Sequence, residues 1–465
     1  MIFNKAIELL KGPIAQAAIG TFILKATHAG LGFVIALVLA RALGAQEYGT
    51  YAFAMSTIAL LGVPSVFGFD VLLVRQGAAY CEKGEWELLL GLMRRALAFT
   101  MTLSFCLAVI AGVVVWLAGG LFEAPTKNAL LIALLALPMV TVTRLRRASM
   151  LGLRRVVSGQ LPETTIQPML LLALVGGWLV WVDSPLTATW TVGINLVAMF
   201  AAVVVGTALL RRAMLGPVLR AKPKFRTGSW LRSAMQFSLI GGMLVVIGNT
   251  DIIMLGTMKG ASAAGVYSIV QRIVSILGLV VFVVNAPLGP NIARLYAASD
   301  DAKLRHIVAM ASRAIALACV PLLLVFAIFG EWLLDLFGLE FVDGYDALVI
   351  LLIGAIPLIL GGGVAGPLLV MTGYERKAAI VIGGAAITNV VLNLLLIPRF
   401  GVTGAAIATA ISTALWNLCL MLISYRMLGI NIFVFGKIGK KHPKRVPMEF
   451  GQVTSRRDES NPHNP

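Results

Sequence analysis

Twelve apolar stretches, each long enough to cross a lipid bilayer as a helix, dominate this sequence. A transmembrane helix needs about 20 mostly apolar residues, and these stretches are apolar on all sides, whereas transmembrane strands alternate. They lie at 14–40, 50–72, 93–118, 128–147, 164–182, 187–210, 233–257, 264–286, 306–329, 346–370, 377–397 and 402–425. Only 13% of the residues are charged, against roughly 25% in soluble domains. This excludes a soluble enzyme and a disordered chain, and we predict an all-α integral membrane protein with about 12 transmembrane helices.

The positions of Lys and Arg predict the orientation of these helices. With the N-terminus in the cytoplasm, 32 of the 38 basic residues fall on the cytoplasmic side and four fall outside. The remaining two, Lys25 and Arg272, lie inside predicted spans. Because cytoplasmic loops of membrane proteins are enriched in Lys and Arg, we predict a multi-pass protein of the inner (plasma) membrane with both termini cytoplasmic. Topology then explains most of the net charge of +17, so no nucleic acid is expected, whereas contacts with anionic membrane lipids are.

One polar and basic stretch divides the predicted spans into two sets of six. We therefore predict an N-terminal six-helix bundle, a basic cytoplasmic linker, a C-terminal six-helix bundle and a basic, disordered cytoplasmic tail. Their boundaries are 1–210, 211–232, 233–430 and 431–465. The longest outer loop, 330–345, is interpreted as a solvated turn.

A short motif occurs once in each half of the chain. Residues 44–51 and 260–267 both read G-A-x-x-x-G-x-Y, at an offset of 216, and a Leu-Gly pair at 61–62 recurs at 277–278. Such parallel repeats predict two pseudosymmetric bundles around a central cleft, where transporters place their substrate. The alternative is that Gly and Tyr recur at helix ends for independent reasons.

These motifs, taken in order along 14–425, are similar to those of the polysaccharide transport (Wzx-type) flippases. The similar segments are 40–51, 73–75, 251–272 and 393–406. That family belongs to the multidrug/oligosaccharidyl-lipid/polysaccharide exporter superfamily. The resemblance implies two six-helix bundles around a cleft, and it implies a lipid-linked oligosaccharide as substrate. It also implies that basic residues on the first and eighth helices, here Lys25 and Arg272, line the cavity.

The two intramembrane cations are the main candidates for substrate binding. An ionised side chain at mid-membrane costs about 2.5–3.5 kcal/mol or more, so it usually faces a cavity or a partner. Helix lengths predict that Lys25 and Arg272 stand at comparable depth. Together they suit a pyrophosphate, which Arg grips with two parallel hydrogen bonds and Lys contacts as a point charge.

Several alternatives remain open for the intramembrane polar residues. Asp251 lies near the level of Arg272, so the two either form a structural ion pair or leave Arg272 free. His28 shares a helix face with Lys25, and either His28 or Asp251 is a candidate for proton coupling. Asn249 and Asn285 either join helices or contact sugar.

The remaining candidate lies at the inner end of the predicted second span. Arg75 is interpreted as a topology marker or as a guard of the cavity entrance.

The resemblance and the topology together predict a flippase. It would carry an undecaprenyl-pyrophosphate-linked oligosaccharide repeat unit across the inner membrane by alternating access, for surface or exopolysaccharide biosynthesis. The expected partners are that lipid-linked substrate, membrane lipids, a polysaccharide polymerase and a chain-length regulator. Because no catalytic or metal-binding motif occurs, we expect neither an enzyme nor a cofactor. The alternatives are an ion-coupled drug or small-molecule antiporter of the same superfamily, and a membrane-embedded polymerase or glycosyltransferase.

Overall fold

The computed structural model describes residues 13–118, 120, 122–214, 216, 218 and 221–434, and within these residues it contains helices and no strands. In this described part of the chain, nine helices are long and apolar enough to cross a membrane, and Thr227–Met258 forms a further, bent one. Two of the nine, Pro13–Val66 and Glu375–Leu428, have twice the usual length and are broken at Gly44 and Gly401. The prediction of an all-helical protein with about twelve spans is therefore confirmed.

We number these spans 1 to 12. They comprise 13–43, 45–66, Trp86–Leu117, Ala124–Gly152, Val156–Trp181, Ala188–Ala213, Thr227–Met258, Ala261–Ala297, Asp301–Ile328, Leu339–Met371, 375–400 and 402–428. The end of the molecule where spans 1 and 2 join is called the outer end, after the predicted orientation, and the opposite end is the inner end. The sidedness itself stays a prediction.

Glycines in the left-handed region separate consecutive spans at the outer end. Gly44 has φ 70°, and its repeat equivalent Gly260 has φ 91°. Only glycine adopts such angles without steric cost, so the first glycine of each motif copy is the turn residue. Gly361, with φ 144°, breaks span 10, as the run of three glycines there predicts.

The second predicted span, 50–72, is six residues too long at its inner end. Span 2 ends at Val66, because Phe67 and Gly68 both have positive φ, and a separate helix, Phe69–Lys83, follows at the inner end. A Cβ at Gly68 would lie 2.2 Å from the carbonyl oxygen of Ala234. The chain turns at Gly68 because the backbone of span 7 packs directly against it.

The two motif copies meet in space at the outer end. A Cβ at Gly49 would lie 1.8 Å from the carbonyl oxygen of Ala261, and one at Gly265 would lie 2.4 Å from that of Ala45. Each contact is the repeat image of the other, since both pairs are related by the offset of 216. Spans 2 and 8 therefore cross about a local two-fold axis through these glycines.

The loop 330–345 closes the outer end and is not the solvated turn expected from sequence. Phe337 and Phe341 are buried, and their rings pack against those of Phe33 and Tyr48. The backbone N–H of Ala45 also donates a 2.6 Å hydrogen bond to the carboxylate of Glu340. Carboxylates favour helix N-termini, and this one lies at the start of span 2.

The described part of the predicted linker packs against the N-terminal bundle. The Lys224 N–H donates a 3.0 Å hydrogen bond to the carbonyl of Glu87, and Gly91 leaves room for the Lys224 backbone. Trp230 Nε1 donates to the hydroxyl of Tyr80 at 3.2 Å. The four predicted domain boundaries stay predictions. Most of the predicted tail, 435–465, lies outside the described residues, as do the N-terminal 1–12.

Candidate substrate cavity

A cavity of about 620 Å³ lies between the two bundles, with walls from spans 2, 7 and 8. It is lined by Tyr48, Tyr51, Ala52, Met55, Ser56, Ala59, Gly248, Asn249, Ile252, Ser268, Gln271, Arg272 and Ser275. Hydroxyl and amide groups dominate the polar part of this lining. Among the described residues that line it, Arg272 is the one charged residue and none is a carboxylate. The cavity is therefore suited to a polar, anionic molecule.

Arg272 projects from span 8 towards span 1. Its Nη1 lies 2.8 Å from the position of a Cβ built on Gly32, so span 1 makes room for the guanidinium by lacking a side chain there. Tyr48 and His28 lie close enough to interact with it electrostatically. Among the described residues Arg272 forms no ion pair. Its charge remains available to a ligand.

Asp251 is fully buried and is paired with neutral groups rather than with Arg272. Its carboxylate accepts hydrogen bonds from the Tyr267 hydroxyl at 2.7 Å, from Asn393 Nδ2 at 2.5 Å and from the Thr409 hydroxyl. These partners come from spans 8, 11 and 12. Asp251 and Arg272 therefore do not form the ion pair that was one of the two alternatives left open by the sequence.

Lys25 lies nearer the inner end than Arg272, so the prediction of comparable depth is wrong. Its Nζ sits 3.4 Å from the ring centroid of Phe282, a favourable cation–π contact. Phe282 is ten residues further along span 8 than Arg272, or about 15 Å at 1.5 Å per residue. Span 1 extends to the break at Gly44, beyond the outer end of its predicted run, which places Lys25 further from the outer end and below the cavity lining.

The basic side chains form a row rather than a facing pair. Arg147 in span 4 acts electrostatically on Lys25, and both Lys25 and Arg272 act on His28. We call Arg147, Lys25, His28 and Arg272 the cation row; it leads from the inner end to the central cavity. The member nearest the inner end, Arg147, shares Glu163 with Arg146, at 3.2 Å and 2.6 Å respectively.

The other sequence-predicted residues divide between the cavity and the scaffold. Asn249 lines the cavity, and its Nδ2 donates to the Val245 carbonyl in its own helix. Asn285 joins spans 8 and 10 by donating to the carbonyl of Gly363 at 2.8 Å. Arg75 is exposed at the inner end, with its guanidinium 6.0 Å from the Phe237 ring of span 7.

Two polar clusters are not predicted from the sequence. Arg146 belongs to the basic residues predicted on the cytoplasmic side, yet it is 3% exposed, packs inside the N-terminal bundle and pairs with Glu163. The signal in the sequence is Glu163, a single acidic residue that follows several arginines and stands just before the predicted span 164–182. The partners of Asp251 on spans 11 and 12 lie 142 and 158 residues away, and no local pattern connects them.

Two six-helix bundles around a polar central cavity define a membrane transporter fold. The structure resembles an inward-facing multidrug resistance MATE family transporter of the MOP superfamily (TM-score 0.66, 14% identity, 86% of this chain and 94% of that chain). It also resembles the lipid II flippase MurJ in an inward closed conformation (TM-score 0.65, 13% identity, 88% of this chain and 87% of that one). These similarities concern the fold.

Sequence comparison identifies the family. A model described as polysaccharide biosynthesis protein matches residues 14–296, and one described as MatE matches 239–395. The chain is also 23% identical over 415 residues to a probable low-salt glycan biosynthesis flippase, Agl15, of Haloferax volcanii, which covers 86% of this chain and 81% of that protein. The chain belongs to the polysaccharide biosynthesis protein family of multi-pass membrane transporters, and the resemblance noted from its motifs is confirmed.

Proposed function

We propose that the protein flips a lipid-linked oligosaccharide carried on a polyprenyl pyrophosphate, of the undecaprenyl type, from the cytoplasmic to the outer leaflet of the inner membrane. The observation that carries this proposal is the cavity lining, which holds the unpaired Arg272 and no carboxylate. A cavity that binds cationic drugs would need acidic side chains in its lining. The name of the Haloferax volcanii relative, a glycan biosynthesis flippase, supports the same substrate class.

The cation row suggests how the anionic headgroup moves. The pyrophosphate enters at the inner end, meets Lys25 first and then passes to Arg272, whose guanidinium contacts span 1 at Gly32, about 10 Å further along that helix. Arg272 provides a planar fork for two phosphate oxygens, whereas Lys25 contributes a mobile point charge. The sugars then occupy the part of the cavity lined by Ser56, Ser268 and Gln271, while the polyprenyl tail stays in the bilayer.

A transport assay with purified protein in proteoliposomes tests the substrate class. We expect a fluorescent oligosaccharide on polyprenyl pyrophosphate to reach the opposite leaflet, as measured by its accessibility to a membrane-impermeant glycosidase. A cationic dye serves as the substrate of the competing drug antiporter. Dye efflux without movement of the glycolipid would contradict the proposal and favour the antiporter.

Asp251 is proposed to bind the coupling ion. A carboxylate buried without a counter-charge is costly unless it takes up a proton or another cation. The oxygens around it suit a monovalent cation, since Thr409 and Asn389 lie in the same hydrogen-bonded cluster. Oδ1 of Asn393 is buried there and makes no hydrogen bond to any described residue. The cluster therefore has one amide oxygen to spare as a ligand for Na⁺, whereas a proton would bind the carboxylate of Asp251 itself.

Asp251→Asn should uncouple flipping from the ion gradient. The amide keeps the size of the side chain but removes its charge. We therefore expect the factor by which an imposed H⁺ or Na⁺ gradient accelerates flipping to fall about tenfold or more, which corresponds to at least 1.4 kcal/mol. Flipping rates measured in proteoliposomes with and without each gradient check this. Asp335→Asn, an exposed carboxylate at the outer end, is the matched control. Full gradient dependence in Asp251→Asn would exclude this role.

A further inference from the structure

A second cavity, of about 380 Å³, lies on the flank of the N-terminal bundle, away from the central cleft. Spans 3 and 6 both pack on span 4 but scarcely touch each other, which leaves a groove with span 4 as its floor. It is lined by Leu73, Leu90, Met93, Arg94, Leu97, Val142, Leu145, Arg146, Ser149, Thr207, Leu210, Arg211 and Met214. None of these residues lines the central cavity. We call this second cavity the flank groove.

Three arginines from three different spans converge on the flank groove. Arg94 and Arg211 are exposed, and neither forms an ion pair with any residue the structure describes. Arg146 is 3% exposed, and its Nε lacks a hydrogen-bond partner in the described part of the chain. Its guanidinium fits only because Gly206 has no side chain, since a Cβ there would lie 2.4 Å from Nε. One carboxylate, that of Glu163, offsets these three positive charges.

Apart from Ser149 and Thr207, the rest of the groove is lined by apolar side chains. Arg211 lies in the last turn of span 6 at the inner end, the level at which lipid phosphates lie. Leu97, one turn deeper than Arg94 on span 3, is 44% exposed. Val142 and Leu145 continue the apolar wall along span 4. A ligand that fits this arrangement has a phosphate at one end and a hydrocarbon chain at the other.

We propose that the flank groove binds an anionic phospholipid from the leaflet at the inner end. Its phosphate lies among Arg94, Arg146 and Arg211, and one acyl chain follows the apolar wall past Leu97. Basic pockets between transmembrane helices are suited to anionic lipid headgroups. The bound lipid joins spans 3, 4 and 6 and is distinct from the transported substrate, so this site holds whether or not the flippase proposal does.

Lipid binding to the full chain tests the headgroup contacts. The probes are phosphatidylglycerol and phosphatidylcholine, added to delipidated protein in detergent, with bound lipid measured by native mass spectrometry. In the double variant Arg94→Gln/Arg211→Gln we expect phosphatidylglycerol affinity to fall about 30-fold, since each basic residue near the surface contributes about fivefold. The control Arg95→Gln/Arg212→Gln removes the same charge from the neighbouring positions, which do not line the groove. Equal losses in the two double variants would overturn the proposal.

A second variant tests the acyl-chain contact while keeping all three arginines. Leu97→Trp fills the groove from the exposed face of span 3, where the larger side chain does not disturb the core. We expect phosphatidylglycerol binding to fall while the circular dichroism spectrum and melting temperature stay unchanged. Unaltered binding would overturn the proposal, as would complete displacement of the lipid by inorganic phosphate, because the site would then bind a free anion.

Discussion

Exchange of both Lys25 and Arg272 for glutamine is expected to reduce flipping of a pyrophosphate-linked substrate about 100-fold or more, because hydrogen bonds to charged groups contribute about 1.5–3 kcal/mol each. Each single exchange should retain part of the activity, since the two cations act at successive depths. Neither has a carboxylate partner among the described residues. Glutamine therefore leaves no buried counter-charge behind, and the variants should fold.

Charge-conserving exchanges separate the two roles. Lys25→Arg keeps the charge and the contact with Phe282, so we expect activity near that of the wild type. Arg272→Lys keeps the charge but loses the fork that holds two phosphate oxygens, so we expect intermediate activity. The measurement is glycolipid flipping in proteoliposomes at equal protein content, with the exposed Arg399→Gln as control. High activity in the double glutamine variant would rule out the cation row as the path of the headgroup.

The spans, the two lobes and the presence of two cations within them follow from the sequence because apolar length alone determines which segments cross a bilayer. The depth of Lys25 does not follow, because the length of span 1 inside the fold depends on where the chain breaks at Gly44. The partners of Asp251 do not follow either. They come from spans 8, 11 and 12, and the rotation of each helix decides which side chains meet.

In the internal repeat, the positions at which the two halves differ are as informative as the positions at which they match. Its conserved positions, such as Gly49 and Gly265, build the scaffold contact between the halves. The functional candidates are positions where the halves differ: at the offset of 216, Arg272 corresponds to Ser56 and Asp251 to Ile35. A comparison of the repeats therefore separates scaffold from site within a single sequence.

The glycine contact at the outer end must open if substrate is to leave the cavity on that side. Spans 2 and 8 approach closely there because neither Gly49 nor Gly265 has a side chain, as in other small-residue crossings of membrane helices. The Ser262 N–H also donates a 3.1 Å hydrogen bond across it to Gln46. We therefore expect this contact to act as a reversible outer gate, held closed by backbone packing and by the hydrogen bond between the halves.

Gly49→Ala should hold this gate open. The added Cβ would lie 1.8 Å from the Ala261 carbonyl oxygen, so the spans must separate, and overpacking of this kind costs about 1–3 kcal/mol. That cost falls on the closed state alone and shifts the population towards the outward-open form by about 5- to 150-fold. Transport should fall accordingly, because the cycle needs both states.

The shift is measured with a cysteine at Ser275, which lines the cavity, after replacement of the four native cysteines. We expect a membrane-impermeant maleimide to label it from the outer side in Gly49→Ala and to label it poorly without that exchange. Gly278→Ala is the matched control, because a Cβ there meets open space and alanine favours a helix over glycine by about 1 kcal/mol. If both alanine variants were labelled alike, helix propensity rather than the crossing would control access. Labelling confined to Gly49→Ala assigns the gate to the crossing of spans 2 and 8 at Gly49 and Gly265.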